Sequence, residues 1–315
     1  MFLKRCMQIS RFSKILKYTT FITMTQVAGL MVYSAIKEPP QPVDKIITED
    51  SFEKQKNILI ADNFKRASIS VDADLIPDIS HGTVTSGLIE QGVGNANIIK
   101  RNVTPSFSET LSRNKTTHTN FDILFSALSE KPKIFDAINL SCGIDIKIKK
   151  LAKELKMDLT AENLAEKRQE IKNAMNNYKG DYKIFGMTLD KIAKFINLMD
   201  TISAKGTKFY ISAGNSGIEY VNLLNLTNNS INVGALNYKG EKTQYSSDNS
   251  LINRWEAGDV FFKKVKDGYD FTDDDKAEVK FDQVALPIKL KANPFEINGT
   301  SFSCPRAMIK DFSNK

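Results

Sequence analysis

Histidine is nearly missing from this chain: 315 residues carry two, His81 and His118, beside three cysteines and a single tryptophan. Cys6, Cys142 and Cys304 have no metal-ligand spacing and are too few for a disulfide framework, so neither a zinc site nor a disulfide scaffold is implied. Also lacking is a compact Arg/Lys block with interleaved aromatics. The formal charge of +7 comes from lysines spread along the chain, which reads as a solvated basic surface and gives little support to a nucleic-acid partner. Charge itself is absent from Tyr18 to Ile36, roughly twenty residues and near the length that crosses a bilayer. Lys4, Arg5, Arg11, Lys14 and Lys17 precede it. Residues 1–36 are therefore read as an export signal or membrane anchor, with cleavage left open. Glu38-Pro39-Pro40-Gln41-Pro42 makes 37–54 an extended linker.

What is present after the linker is the pattern of a parallel α/β sheet: short apolar runs alternating with helical segments over 55–315. The hydrophobic content of 41% suits a sizeable core. Strands are expected at Asn57–Ala61, Ile98–Arg101, Phe135–Leu140, Lys208–Ser212 and Ser230–Ala235. Helices are expected from Asn120 to Leu128 and from Met187 to Ala204. The Lys/Glu-rich stretch within 144–186 reads as a solvated helical insertion with an apolar stripe of Leu151, Leu155, Leu159, Leu164 and Ile171. Trp255 to Gly258 reads as a turn. The acidic run Asp267 to Asp275 lacks the spacing of an EF-hand and reads as a solvated loop.

Four positions carry chemistry. Asp62 stands at the end of the first strand, on the sheet edge where α/β sites are built. His81 opens a helix of small residues, and Asn215 is presented at a later strand end by Ala213-Gly214-Asn215-Ser216-Gly217. Ser301, in Gly299-Thr300-Ser301-Phe302-Ser303-Cys304-Pro305, is expected at a helix N-terminus, with Thr300, Ser301 and Ser303 all able to cap and Pro305 in the first turn. There the dipole stabilises negative charge, which suits a nucleophile whose reaction generates an oxyanion. Asp, His, Ser is one of the known chain orders for a hydrolytic triad. His118 lies in a polar run and reads as a loop residue.

These motifs resemble those of the subtilisin-like serine peptidases. His81-Gly82-Thr83, Ser212-Ala213-Gly214-Asn215-Ser216-Gly217, Val233-Gly234-Ala235 and Gly299 to Pro305 follow that family's signatures, over about residues 55 to 315. The resemblance implies a three-layer α/β/α domain with a largely parallel sheet. It makes Ser301 the nucleophile, His81 the general base and then acid, Asp62 the orienting carboxylate and Asn215 the oxyanion donor. By the same resemblance Ser141, Cys142 and Gly143 form an edge that pairs with an extended peptide, and Ser212, Ala213 and Gly214 line the substrate. It implies a peptide or protein substrate, no cofactor for the chemistry and room for a structural calcium. The location expected is exported, periplasmic, extracellular or anchored facing outward.

The departures also set expectations. Asp62 is followed by Asn63-Phe64 where the family has Ser/Thr-Gly. Only about twenty residues lie between the apolar stretch and the first strand, too few for an independently stable pro-domain. The sequence stops at Lys315, where relatives continue through further helices, and 260–297 reads as a second insertion that covers the substrate groove. A peptide-binding pseudoenzyme is the main alternative. A basic scaffold for anionic surfaces is the other.

Overall fold

The computed structural model describes residues 55–62, 64, 80–102, 128, 135–271, 275–277, 279–280 and 295–313, all within the compact unit Glu53–Lys315. The expected N-terminal segment, the linker, His118 and most of the expected Asn120–Leu128 helix lie outside the described residues. Among the described residues no helix is long and apolar enough to cross a membrane.

In chain order the elements are β1 (Lys56–Asp62), α1 (His81–Gly92), β2 (Ala96–Asn102), β3 (Ala137–Leu140), β4 (Asp145–Lys147), α2 (Ile148–Leu155) and α3 (Arg168–Asn176). There follow β5 (Lys183–Ile184), β6 (Met187–Thr188), α4 (Leu189–Ser203), β7 (Lys208–Ser212), β8 (Tyr220–Asn222), a 3-10 turn (Leu223–Leu226) and β9 (Ile231–Leu236). The last are β10 (Arg254–Ala257), β11 (Asp259–Val265), β12 (Gly268–Asp270), β13 (Val279–Lys280), β14 (Phe295–Asn298) and α5 (Thr300–Ser313).

The main sheet has the order β10-β9-β7-β3-β1-β2, and each of its pairings is parallel. Its strands are apolar on both faces because both are covered, as parallel sheets require. Ile58 and Ile60 of β1 face one side, with Ile89 of α1, Val93 directly after it, and Ala307 and Met308 of α5. Leu59 and Ala61 face the other, with Ile192, Phe195 and Ile196 of α4. This is the three-layer α/β/α arrangement expected from the sequence.

Three expectations are corrected. Residues 254–257 form an edge strand rather than a turn, paired with β9. Its charged residues hid it: Glu256 is buried, where it takes ion pairs from Arg254 (2.9 Å) and Lys310 (2.5 Å). The first insertion is not a solvated excursion. Leu151, Leu159, Leu164, Ile171 and Met175 join the same core cluster as Leu59 and Ile138, and the ammonium of Lys172 is buried on Asp200 at 2.7 Å. Within the acidic run, β12 is a buried strand, with Tyr269 and Asp270 almost wholly enclosed.

The described part of the second insertion forms an antiparallel sheet, β13-β12-β11-β14. Val260, Phe262, Tyr269, Phe271 and Ile297 pack on Val84 and Leu88 of α1 and Phe302 of α5. It therefore braces the two helices that carry His81 and Ser301. Residues 272–274, 278 and 281–294 of the stretch expected over the groove lie outside the described residues.

Candidate active site

The buried run of β1 delivers Asp62 to the carboxyl end of the sheet, where the residue is 3% exposed. Opposite it, Ser80 caps α1 by accepting the Thr83 backbone N–H at 3.2 Å, which makes His81 the first helical residue. His81 Nδ1 lies 2.7 Å from Asp62 Oδ1. One turn into α1, Thr85 donates its hydroxyl to Asp62 Oδ2 at 2.8 Å. Both carboxylate oxygens are thus held, and with Nδ1 turned to the carboxylate the lone pair is left on Nε2. Burial pulls the imidazole pKa down, but the charge of Asp62 and its hydrogen bond outweigh that, and the net shift is upward. The ring is steadied from the other side by Phe302, whose centroid is 5.4 Å away.

Phe302 is the residue after Ser301. Ser301 is the second residue of α5, so its backbone N–H has no intrahelical partner, and it is 8% exposed. Thr300 donates to Asn215 Oδ1 twice, from its backbone N–H at 2.9 Å and its hydroxyl at 2.8 Å. A backbone N–H can only donate, so this fixes which end of the Asn215 amide is oxygen. The Nδ2 end is left for other partners, and a side chain at Gly299 would lie 3.3 Å from it.

Pro305 is placed differently from expectation. The helix starts at Thr300, so Pro305 falls beyond the first turn and withholds the N–H that would bond the carbonyl of Ser301. Ser141, at the end of β3, supplies the missing donor: its hydroxyl bonds Ser301 O at 2.8 Å and is itself held by Asn139 Nδ2 at 2.8 Å. Ser303 does not cap either; its hydroxyl turns back to Thr300 O at 2.9 Å.

Of the expected substrate-lining residues, Ser141, Ser212, Ala213 and Gly214 are buried, while Cys142 and Gly143 keep some surface. Asn222 stitches the two segments together, donating to Ser212 O at 2.8 Å and accepting the Ile144 N–H at 3.0 Å. Burial, followed by the charge of Asp62, pushes the Cys142 thiol up to about 12. Burial likewise raises Cys304 well above its ordinary value. Neither is a thiolate near neutral pH.

Asp62 and His81 are thus joined directly, and Asn215 is joined to the Ser301 segment through Thr300. Among the described residues no hydrogen bond joins Ser301 Oγ to His81; the contact between the two halves runs through Phe302. Thr85 and Asn222 were not singled out by sequence, and Thr300, expected as a cap, instead donates to Asn215. Thr85 had a readable signal, its spacing of one helical turn from His81. No group of described His, Cys, Asp or Glu residues is arranged to hold a metal ion.

No protein-family model and no curated protein matches the chain. Solved structures do. The chain is similar to the prenylagaramide maturation protease PagA, at 14% identity and a TM-score of 0.42, over 80% of this chain and 72% of that one. It is similar to a cold-adapted subtilisin-like serine proteinase, at 15% and 0.41, over 86% and 78%. For the MycP3 protease of the type VII (ESX-3) secretion system the values are 10% and 0.45, over 81% and 69%.

Proposed function

We propose that the chain is a serine endopeptidase, exported or membrane-anchored, that cleaves peptide bonds through an acyl-enzyme. The observation that carries this reading is the part-buried Asp62–His81 bond set beside the N-terminus of the Ser301 helix. Ser301 Oγ attacks the scissile carbonyl carbon while His81 Nε2 takes its proton. The carbonyl oxygen becomes an oxyanion, held by Asn215 Nδ2 and the Ser301 N–H. The C–N bond then breaks as the imidazolium returns the proton to the leaving amine, and water repeats the sequence on the ester. Asp62 holds the tautomer and stabilises the imidazolium, with Thr85 holding Asp62. No step needs a cofactor. The surface at Cys142–Gly143 is where the extended substrate would pair. Export rests on the basic flank and uncharged stretch of residues 1–36.

The missing Ser301–His81 hydrogen bond favours a second reading, a protein of this architecture that binds peptides without cleaving them. Covalent labelling by a fluorophosphonate, which needs an activated serine, tests the two. Labelling of the wild type that disappears in Ser301→Ala supports the enzyme; an unlabelled, folded wild type supports the binder.

A further inference from the structure

Asp145 has no place in the reaction sequence, and its surroundings are unusual for a surface carboxylate. It opens β4, directly after the Ser141–Ile144 segment, and lies against the loop that presents Asn215. The approach is close: a side chain at Gly214, where φ is +102°, would meet both carboxylate oxygens within 2.8 Å. Oδ2 accepts the hydroxyl of exposed Ser216 at 2.9 Å. Oδ1 is enclosed and takes no side-chain hydrogen bond, while the backbone N–H of Asn215 faces the carboxylate. No cation pairs with Asp145 among the described residues, and the neighbouring Lys147 turns to Glu219 at 3.8 Å. Burial raises the carboxyl pKa against the opposing Ser216 hydroxyl and Asn215 backbone N–H, so the anion is under-compensated where it stands.

Among the described residues the carboxylate meets two neutral donors, the Ser216 hydroxyl and the Asn215 backbone N–H, and no cation. A half-buried anion compensated only by neutral donors gains from a cationic ligand that reaches its accessible oxygen. We infer that Asp145 is a specificity-determining residue that receives the lysine or arginine side chain of the substrate residue whose carbonyl is attacked. That carbonyl would lie on Asn215 Nδ2, so the side chain of its own residue starts beside the Gly214–Ser216 loop. A long stem running along the loop brings an ammonium or guanidinium to the Asp145 carboxylate, joining or displacing the Ser216 hydroxyl. A charge-assisted bond of this kind separates basic from neutral side chains far better than an apolar pocket separates neutral ones from each other.

This rests on the peptidase reading, and the test keeps the two apart. Ser301→Ala protein, which cannot acylate, is titrated with labelled peptides that differ only in a final Arg, Lys or Leu, and anisotropy gives Kd. The Arg and Lys peptides are expected to bind at least about tenfold more tightly than the Leu peptide. Adding Asp145→Asn should bring the Arg-to-Leu ratio close to one. Equal Kd values with Asp145 intact overturn the inference without any change at that residue. So does a ratio that survives Asp145→Asn, or an equal loss for all peptides, which would make Asp145 a support for the loop through Ser216. A basic preference that Asp145→Asn removes, in a wild type that hydrolyses nothing, would sink the peptidase reading and leave Asp145 as the basic-side-chain site of a peptide binder.

Discussion

The hydroxyl of Ser141 replaces a backbone hydrogen bond that Pro305 removes, reaching the carbonyl of Ser301 at 2.8 Å from the end of a strand 160 residues earlier. The bond ties β3 to the helix turn that carries the candidate nucleophile. Ser141→Ala should cost about 1–3 kcal/mol, because the carbonyl is left buried and unpaired. Pro305→Ala would restore an N–H donor inside the helix. Denaturant unfolding of Ser141→Ala, Pro305→Ala and the double variant checks this: the double variant should recover part of the Ser141→Ala loss. Strict additivity would mean that the two residues do not share that carbonyl.

Asn215→Ala should lower kcat by about 10² to 10³, the cost measured for the oxyanion asparagine of subtilisin, with a much smaller change in KM. It also strips the acceptor from the Thr300 N–H and hydroxyl, so a modest stability loss should accompany it. An effect confined to KM would contradict the oxyanion role.

The raised pKa of His81 sets two pH dependences. Activity should rise with pH through an apparent pKa above about 6.5, as neutral imidazole becomes available to take the Ser301 proton. Stability runs the other way. A histidine whose folded pKa is raised contributes stability that is fully present below the unfolded value and is lost as pH rises through the folded one. Asp62→Asn removes the cause of the rise, so the pH midpoint should fall while turnover collapses. A midpoint unmoved by Asp62→Asn would place the titration elsewhere.

The first insertion belongs to the main core, so Ile171→Ala or Leu151→Ala should destabilise the whole unit by about 2–5 kcal/mol in one cooperative transition. A solvated appendage would instead melt separately, or change nothing in the global transition.

Much of the sheet was readable because its strands are uniformly apolar: Ile58 to Ala61 and Phe209 to Ile211 have no other stable place than between two helical layers. The edge strand at 254–257 was not, since Glu256 is buried only by virtue of Arg254 and Lys310, a pairing no local pattern announces. The candidate site divides in the same way. His81, Asn215 and Ser301 stand in distinctive local motifs, whereas the bonds of Ser141, expected only as a substrate edge, and of Asp145 reach partners 160 and 71 residues away in the chain. Pro305 reads as a helix start because of its φ preference, yet here it sits deeper in the helix, made tolerable by the Ser141 hydroxyl.

The most direct measurement of the central claim is fluorophosphonate labelling of the purified protein, read by intact mass and located by peptide mapping. One adduct per chain, on Ser301, formed faster as pH rises through the His81 titration and abolished by Ser301→Ala or His81→Ala, is the predicted result. A folded wild type that takes up no label, or takes it up at another residue, would contradict the account.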